Sequence, residues 1–104
     1  MTKTSNDLDL LHHVAIPVED VARALKWYQE KFKCRVLYQD ETWGFLEFGN
    51  IKLALVIESQ HPAHIAFLRE DAASYGPLTR HRDGTASVYI QDSEGNSVEI
   101  LSES

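Results

Sequence analysis

The chain has 104 residues, 43% hydrophobic and 25% charged, which is the composition of one folded domain and excludes wholesale disorder. Its formal charge of −6, with no basic run, argues against a nucleic-acid partner. No apolar stretch approaches a bilayer span and the polar start lacks a signal peptide's apolar core, so a cytoplasmic protein is expected, with Cys34 unable to form an internal disulfide.

Residues 1–9 read as a frayed tail, and 10–104 as a single domain. Leu10–Val18 alternates, with His12, Val14, Ile16 and Val18 on a bulky face and His13, Ala15 and Pro17 on a sparse one. The bulky face predicts packing against a helix, and the sparse one a pocket. Glu19 and Asp20 open that helix, whose stripe is Val21, Ala24, Leu25, Tyr28 and Phe32, ending near Lys33. Strands follow over 35–39, 43–48 and 51–57, the last two joined by Gly49-Asn50 as a hairpin. The order then partly recurs: a strand at 64–68, room for about two helical turns over 70–76, a poor strand at 78–82, and clear strands at 86–91 and 98–101. Asp92–Asn96 is turn composition. Two modules of like element order, about 10–58 and 63–102, therefore predict an α+β fold.

His13, His64 and Glu99 each lie on a predicted strand, and two imidazoles with one carboxylate suit a divalent transition metal that keeps open positions. Fe, Mn, Zn, Ni and Co all accept this set, and ligand type does not choose among them. Singly, each histidine reads as a hydrogen-bonded packing residue and Glu99 as an edge-strand carboxylate. As a trio they point to metal binding.

The run His13-Val14-Ala15-Ile16-Pro17-Val18-Glu19-Asp20 resembles the opening of the vicinal oxygen chelate superfamily, which spans glyoxalase I, bleomycin-resistance proteins, extradiol dioxygenases and fosfomycin-resistance transferases. Lys26–Phe32, His64–Phe67 and Ser93–Ile100 resemble its later motifs, with Lys33 standing where glycine is usual. The resemblance implies two βαβββ modules forming a curled mixed sheet, with metal ligands at His13, His64 and Glu99. It places Leu55 where glyoxalase I has a fourth ligand, glutamate, and turns Glu58 to the other face. That departure points away from glyoxalase I and toward three-ligand members. Ser87–Asp92 is similar to a segment of the fosfomycin transferases, which implies that Tyr89 faces substrate as a hydrogen-bond donor or acid; lining the sheet is the equal alternative. The implied protein is a metal-dependent lyase, transferase or dioxygenase acting on a small oxygen-rich molecule, as a homodimer in which the two histidines belong to one chain or to two. The rival is a non-catalytic, bleomycin-resistance-like binding module.

Arg80, His81 and Arg82 read as a solvated loop or as steering groups for an anion, and Glu47 and Glu58 as possible proton-transfer groups. His12, His61, Cys34, Trp27 and Trp43 read as packing, surface or loop residues.

Overall fold

A computed structural model describes residues 8–81 and 84–103. The expected tail thus lies mostly, and the expected role of Arg82 entirely, outside the described residues. The fold is α+β, with strands of mixed direction, one α-helix and one 3-10 turn: β1 (Leu10–Pro17), α1 (Val21–Lys31), β2 (Arg35–Gln39), β3 (Trp43–Glu47), β4 (Lys52–Val56), β5 (His64–Leu68), the turn Ala72–Tyr75, β6 (Thr79–Arg80), β7 (Ala86–Gln91) and β8 (Ser97–Ser102). The repeated element order predicted from sequence is present. The second helix is a correction: one 3-10 turn replaces the two helical turns expected over 70–76.

Two compact units divide the chain, one spanning His13–Ile65 and the other holding the start up to His12 together with Ala66 onward. In the first the strand order is β2-β3-β4-β1, antiparallel except for the parallel pair β1 and β4. In the second it is β5-β8-β7-β6, with β6, β7 and β8 antiparallel.

The helix forms where the apolar stripe demands it. The Asp20 carboxylate caps its start by accepting the Arg23 N–H at 2.9 Å. At its end Phe32 is already extended, at φ −136° and ψ 154°, so no left-handed residue is needed there and Lys33 in place of glycine costs nothing. Val21 and Leu25 bury against Leu46 and Leu55, with Ile16, Val18, Cys34, Val36 and Leu53 packed around them. Leu25, Leu46 and Leu55 are at most 2% exposed, and each contributes roughly 1.5–3 kcal/mol through burial. Phe32, by contrast, is 53% exposed despite its place on the stripe.

In the second unit the Asp92 carboxylate gathers the turn between β7 and β8, accepting from the backbone N–H groups of Glu94 and Asn96 and from the Asn96 amide. Gly95 sits there at φ +85°, a conformation that favours glycine. Arg69 binds Asp9 and Asp71 at 2.7 Å each, tying the chain's start to the segment after β5.

Gly44 lets α1 sit directly on β3, since a Cβ there would lie 3.0 Å from Leu25 Cδ1 and 3.1 Å from Val21 Cγ1. Gly44→Val should therefore destabilise the protein by about 1–3 kcal/mol, read as a lower denaturation midpoint with an unchanged slope; equal or greater stability would contradict this packing.

Candidate metal centre

Side-chain alternation on β1, β3 and β4 sorts the first unit into two faces. Register aligns His13 with Lys52 and Glu47, Ala15 with Ala54 and Phe45, and Pro17 with Val56 and Trp43. Ala15, Ala54 and Val56 form a buried floor against which Phe45 and Trp43 pack. The Phe45 ring meets the His13 ring edge-on, centroids 5.4 Å apart. The sparse face predicted from sequence is thus the face that carries His13, and Ile16 and Val18 pack on the helix side.

His64 opens β5, and its ring lies 5.0 Å from that of His13 at 80°. The two Nε2 atoms are 2.9 Å apart, and His64 Nδ1 is 2.9 Å from the Pro62 carbonyl oxygen. A carbonyl only accepts, so Nδ1 carries the His64 proton and Nε2 offers its lone pair. Two lone pairs facing one another at that distance need something between them, either a proton on His13 Nε2 or a shared cation. Nitrogens about 2.0–2.1 Å from one ion would stand roughly 2.9 Å apart at an octahedral right angle and roughly 3.4 Å apart at the tetrahedral angle usual for zinc. Orientation of a ligating imidazole by a carbonyl on its other nitrogen is the usual metal-site device.

Glu99 lies in the second unit, on β8, and is only 6% exposed. It stands opposite Tyr89 of β7 in the register. Burial and the Glu99 carboxylate push the Tyr89 phenol above the ordinary tyrosine range. Because 47% of Tyr89 stays exposed, the carboxylate, which also accepts its hydrogen bond, is the firmer cause. His81 Nε2 pairs with the buried Ser87 Oγ at 2.8 Å and lies 4.0 Å from Glu99 Oε2. His81 lies in the loop after β6, as its sequence reading expects, with its ring beside the Glu99 carboxylate. Ser87 and Tyr89, sharing one face of β7 by alternation, were the signal that something must meet them.

Leu55 needs a correction. It is fully buried in the helix-side core, because alternation on β4 turns Leu53 and Leu55 toward α1 and Ala54 and Val56 toward His13. The residue of β4 nearest the fourth-ligand role is therefore Ala54, and β4, Lys-Leu-Ala-Leu-Val, still supplies no carboxylate. Glu58 shares the parity of Ala54 but sits past the strand's end, exposed in a turn. Glu47 is ion-paired with Arg35 at 3.2 Å. His12 lies 3.4 Å from the Glu103 carboxylate, and His61 pairs with Thr42 Oγ1 at 3.1 Å. Trp27 is 49% exposed on α1.

Sequence periodicity also missed a rearrangement on β2. Val36 pairs with Leu46 on the helix side, but a bulge between Val36 and Tyr38 makes Tyr38 pair with Phe45 instead. Tyr38 thereby crosses to the His13 face and stacks on Trp43, centroids 4.7 Å apart and planes at 29°. Asp40 secures this corner, accepting from Tyr38 Oη at 2.6 Å, Thr42 N at 2.7 Å and Trp43 N at 3.0 Å. The Tyr38 hydrogen bond leads these donors in holding the Asp40 carboxyl well below the usual range.

Residues 10–100 match the family profile described as the Glyoxalase/Bleomycin resistance protein/Dioxygenase superfamily. The chain belongs to that superfamily. Among solved structures it is similar to a Streptomyces coelicolor methylmalonyl-CoA epimerase in complex with 2-nitronate-propionyl-CoA, with TM-score 0.73 and 17% identity over 93% of this chain and 99% of that one. A superfamily member from Vibrio splendidus 12B01 aligns with TM-score 0.65 and 9% identity over 91% and 99%. A Legionella pneumophila protein described as an NAD-dependent benzaldehyde dehydrogenase aligns with TM-score 0.66 and 14% identity over 86% and 96%. At such identities these likenesses establish the fold, and their differing descriptions show why a fold does not name an activity. No curated protein matches the chain.

Asp40→Ala should weaken the near-ultraviolet circular dichroism of the Tyr38–Trp43 pair. A carboxyl with a lowered pKa stabilises above its unfolded value and loses that effect as pH falls through its folded one. In wild type the signal should therefore survive acidification past about pH 3.9, the ordinary aspartate value; loss at or above that pH would contradict the assignment.

Proposed function

We propose that the protein is a divalent-metal-dependent enzyme of this superfamily, acting on a small oxygen-rich molecule, with His13, His64 and Glu99 each giving one donor atom to the ion. The observation that carries the reading is the approach of the His13 and His64 Nε2 atoms to 2.9 Å, with His64 Nδ1 turned onto the Pro62 carbonyl. Glu99 adds a buried carboxylate, the third member of a set suited to the borderline divalent ions. A divalent ion held by this set supplies Lewis-acid polarisation of substrate oxygens.

Tyr89 is the proposed hydrogen-bond donor to substrate: its phenol, held protonated by burial and the Glu99 carboxylate, would swing its one O–H from that carboxylate to an oxygen on which charge develops. His81, fixed by the Ser87 hydroxyl, orients the Glu99 carboxylate. The lack of a carboxylate on β4 supports a three-ligand member, of the fosfomycin-resistance or dioxygenase kind, over glyoxalase I. A homodimer is part of the proposal, supported by Leu8, Leu10 and Leu11, which are 69%, 60% and 46% exposed along one stretch.

Metal analysis of untagged protein tests the reading. Wild type should hold about one divalent ion per chain, and His13→Ala, His64→Ala and Glu99→Ala should each weaken retention roughly tenfold or more. A wild type that takes up no ion on reconstitution would sink it.

Acid should release the ion, because protons compete for the imidazole nitrogens. Ion content after dialysis at descending pH should therefore fall below that at neutral pH; an ion content unchanged down to the pH at which the fold itself is lost would count against histidine ligation.

A further inference from the structure

We propose that the outer flank of α1 is a docking surface for an acidic segment of another protein. Trp27 and Phe32 receive one apolar side chain of that segment, and Lys31 and Lys33 receive its carboxylates. The surface belongs to the helix side of the first unit, whose strands turn His13 to the opposite face. It therefore stands apart from the proposed metal site.

Two rings are left on the surface for a local reason. The apolar stripe of Val21, Leu25 and Tyr28 turns inward, and its next member in helical spacing is Phe32. Backbone at Phe32 is already extended, so helical periodicity no longer carries that ring under the helix. It stays half exposed, as does Trp27, which lies on the helix flank off the stripe. Neighbours nevertheless hold both rings. Trp27 meets Tyr28 edge-on at 5.0 Å and 79°, and Phe32 at 6.2 Å and 64°. Lys31, one turn after Trp27 on the same ridge, sets its Nζ 5.9 Å from the indole centroid. Exposed rings already fixed in this way lose little freedom on docking, and tryptophan is among the commonest anchors of protein interfaces.

Charge selects the occupant. Five of the chain's ten Lys and Arg residues fall between positions 23 and 35, against a single carboxylate there, Glu30, in a protein of formal charge −6. Arg23 pairs with Glu19 at 3.7 Å and Arg35 with Glu47 at 3.2 Å. Among the described residues no carboxylate lies within ion-pairing distance of Lys31 or Lys33. An acidic segment with an apolar anchor therefore finds two cations without a carboxylate partner beside two rings, and unlike charge steers its approach. The same balance disfavours an anionic bilayer. A flat surface meets the acidic remainder of the protein as well as this patch, whereas a single segment meets the patch alone.

The chain has two tryptophans, so heteronuclear NMR shows two indole N–H signals, and the one missing from Trp27→Phe belongs to Trp27. A short synthetic peptide alternating glutamate and leucine should shift that signal saturably and leave the Trp43 signal in place. A peptide alternating lysine and leucine should bind at least about fivefold more weakly. By calorimetry, Trp27→Ala and the double variant Lys31→Glu, Lys33→Glu should each weaken the acidic peptide at least about fivefold, with the Trp43 signal unmoved as the check on folding. Should a variant not fold, salt makes the comparison on wild type: raising it from about 0.05 to about 0.5 M should weaken binding at least about threefold. A Kd weaker than about 1 mM for the acidic peptide, equal affinity for the lysine peptide, or affinity indifferent to these substitutions and to salt overturns the proposal. So does co-sedimentation of wild type, but not of the double variant, with vesicles of phosphatidylserine and phosphatidylcholine when the peptide leaves Trp27 unmoved, which assigns the patch to lipid. A Trp27 signal that moves with protein concentration alone, and that the acidic peptide does not reverse, assigns the patch to a second copy and overturns it as well.

Discussion

Alternation of side chains along β1, β3 and β4 is the constraint on which the first unit depends. A strand has two faces, and here one must cover α1 while the other must carry His13. Ile16, Leu46, Leu53 and Leu55 satisfy the first requirement, and their bulk leaves the intervening positions to Ala15, Ala54, Phe45 and Trp43. Gly44 belongs to the same division, because removing one side chain lets the helix lie close enough to seal the core. The His13-bearing surface and the hydrophobic core are thus two readings of one alternating pattern.

The histidine pair shows how a backbone neighbour orients a side chain. His64 is at the first residue of β5, two residues after Pro62, whose carbonyl takes the Nδ1 proton. That short-range bond decides the tautomer, and the tautomer decides which nitrogen faces His13. In the second unit a similar chain runs from Ser87 through His81 to Glu99, with Tyr89 opposite the carboxylate. In both places a hydrogen bond to a nearby backbone or hydroxyl oxygen fixes the direction of an imidazole.

Much of this was legible in the sequence because it is local. The alternation around His13, the capped helix, the hairpins and the turn at Gly95 follow from periods and turn residues that span a few positions. Leu55 was misplaced because the resemblance alone assigned its position, whereas the register that sets Ala54 beside Ala15 depends on a partner strand elsewhere in the chain. Tyr38 was unreadable for a different reason: a bulge changes the period within one strand, and no residue type announces it. His81 read correctly as loop, but its contacts with Ser87 and Glu99, made across the fold of a hairpin, were not visible. The contracted second helix followed from length, although a 3-10 turn was shorter still than the space suggested.

The bulge in β2 also bears on what each face of the unit presents. Without the bulge, a strand of the same length would alternate regularly and carry Tyr38 on the helix face with Val36, taking one ring off the His13 face while leaving every proposed ligand in place. One extra residue on this strand, which lies at the end of its unit's strand order, therefore decides which rings share the His13 face without altering any residue of β1 or β5.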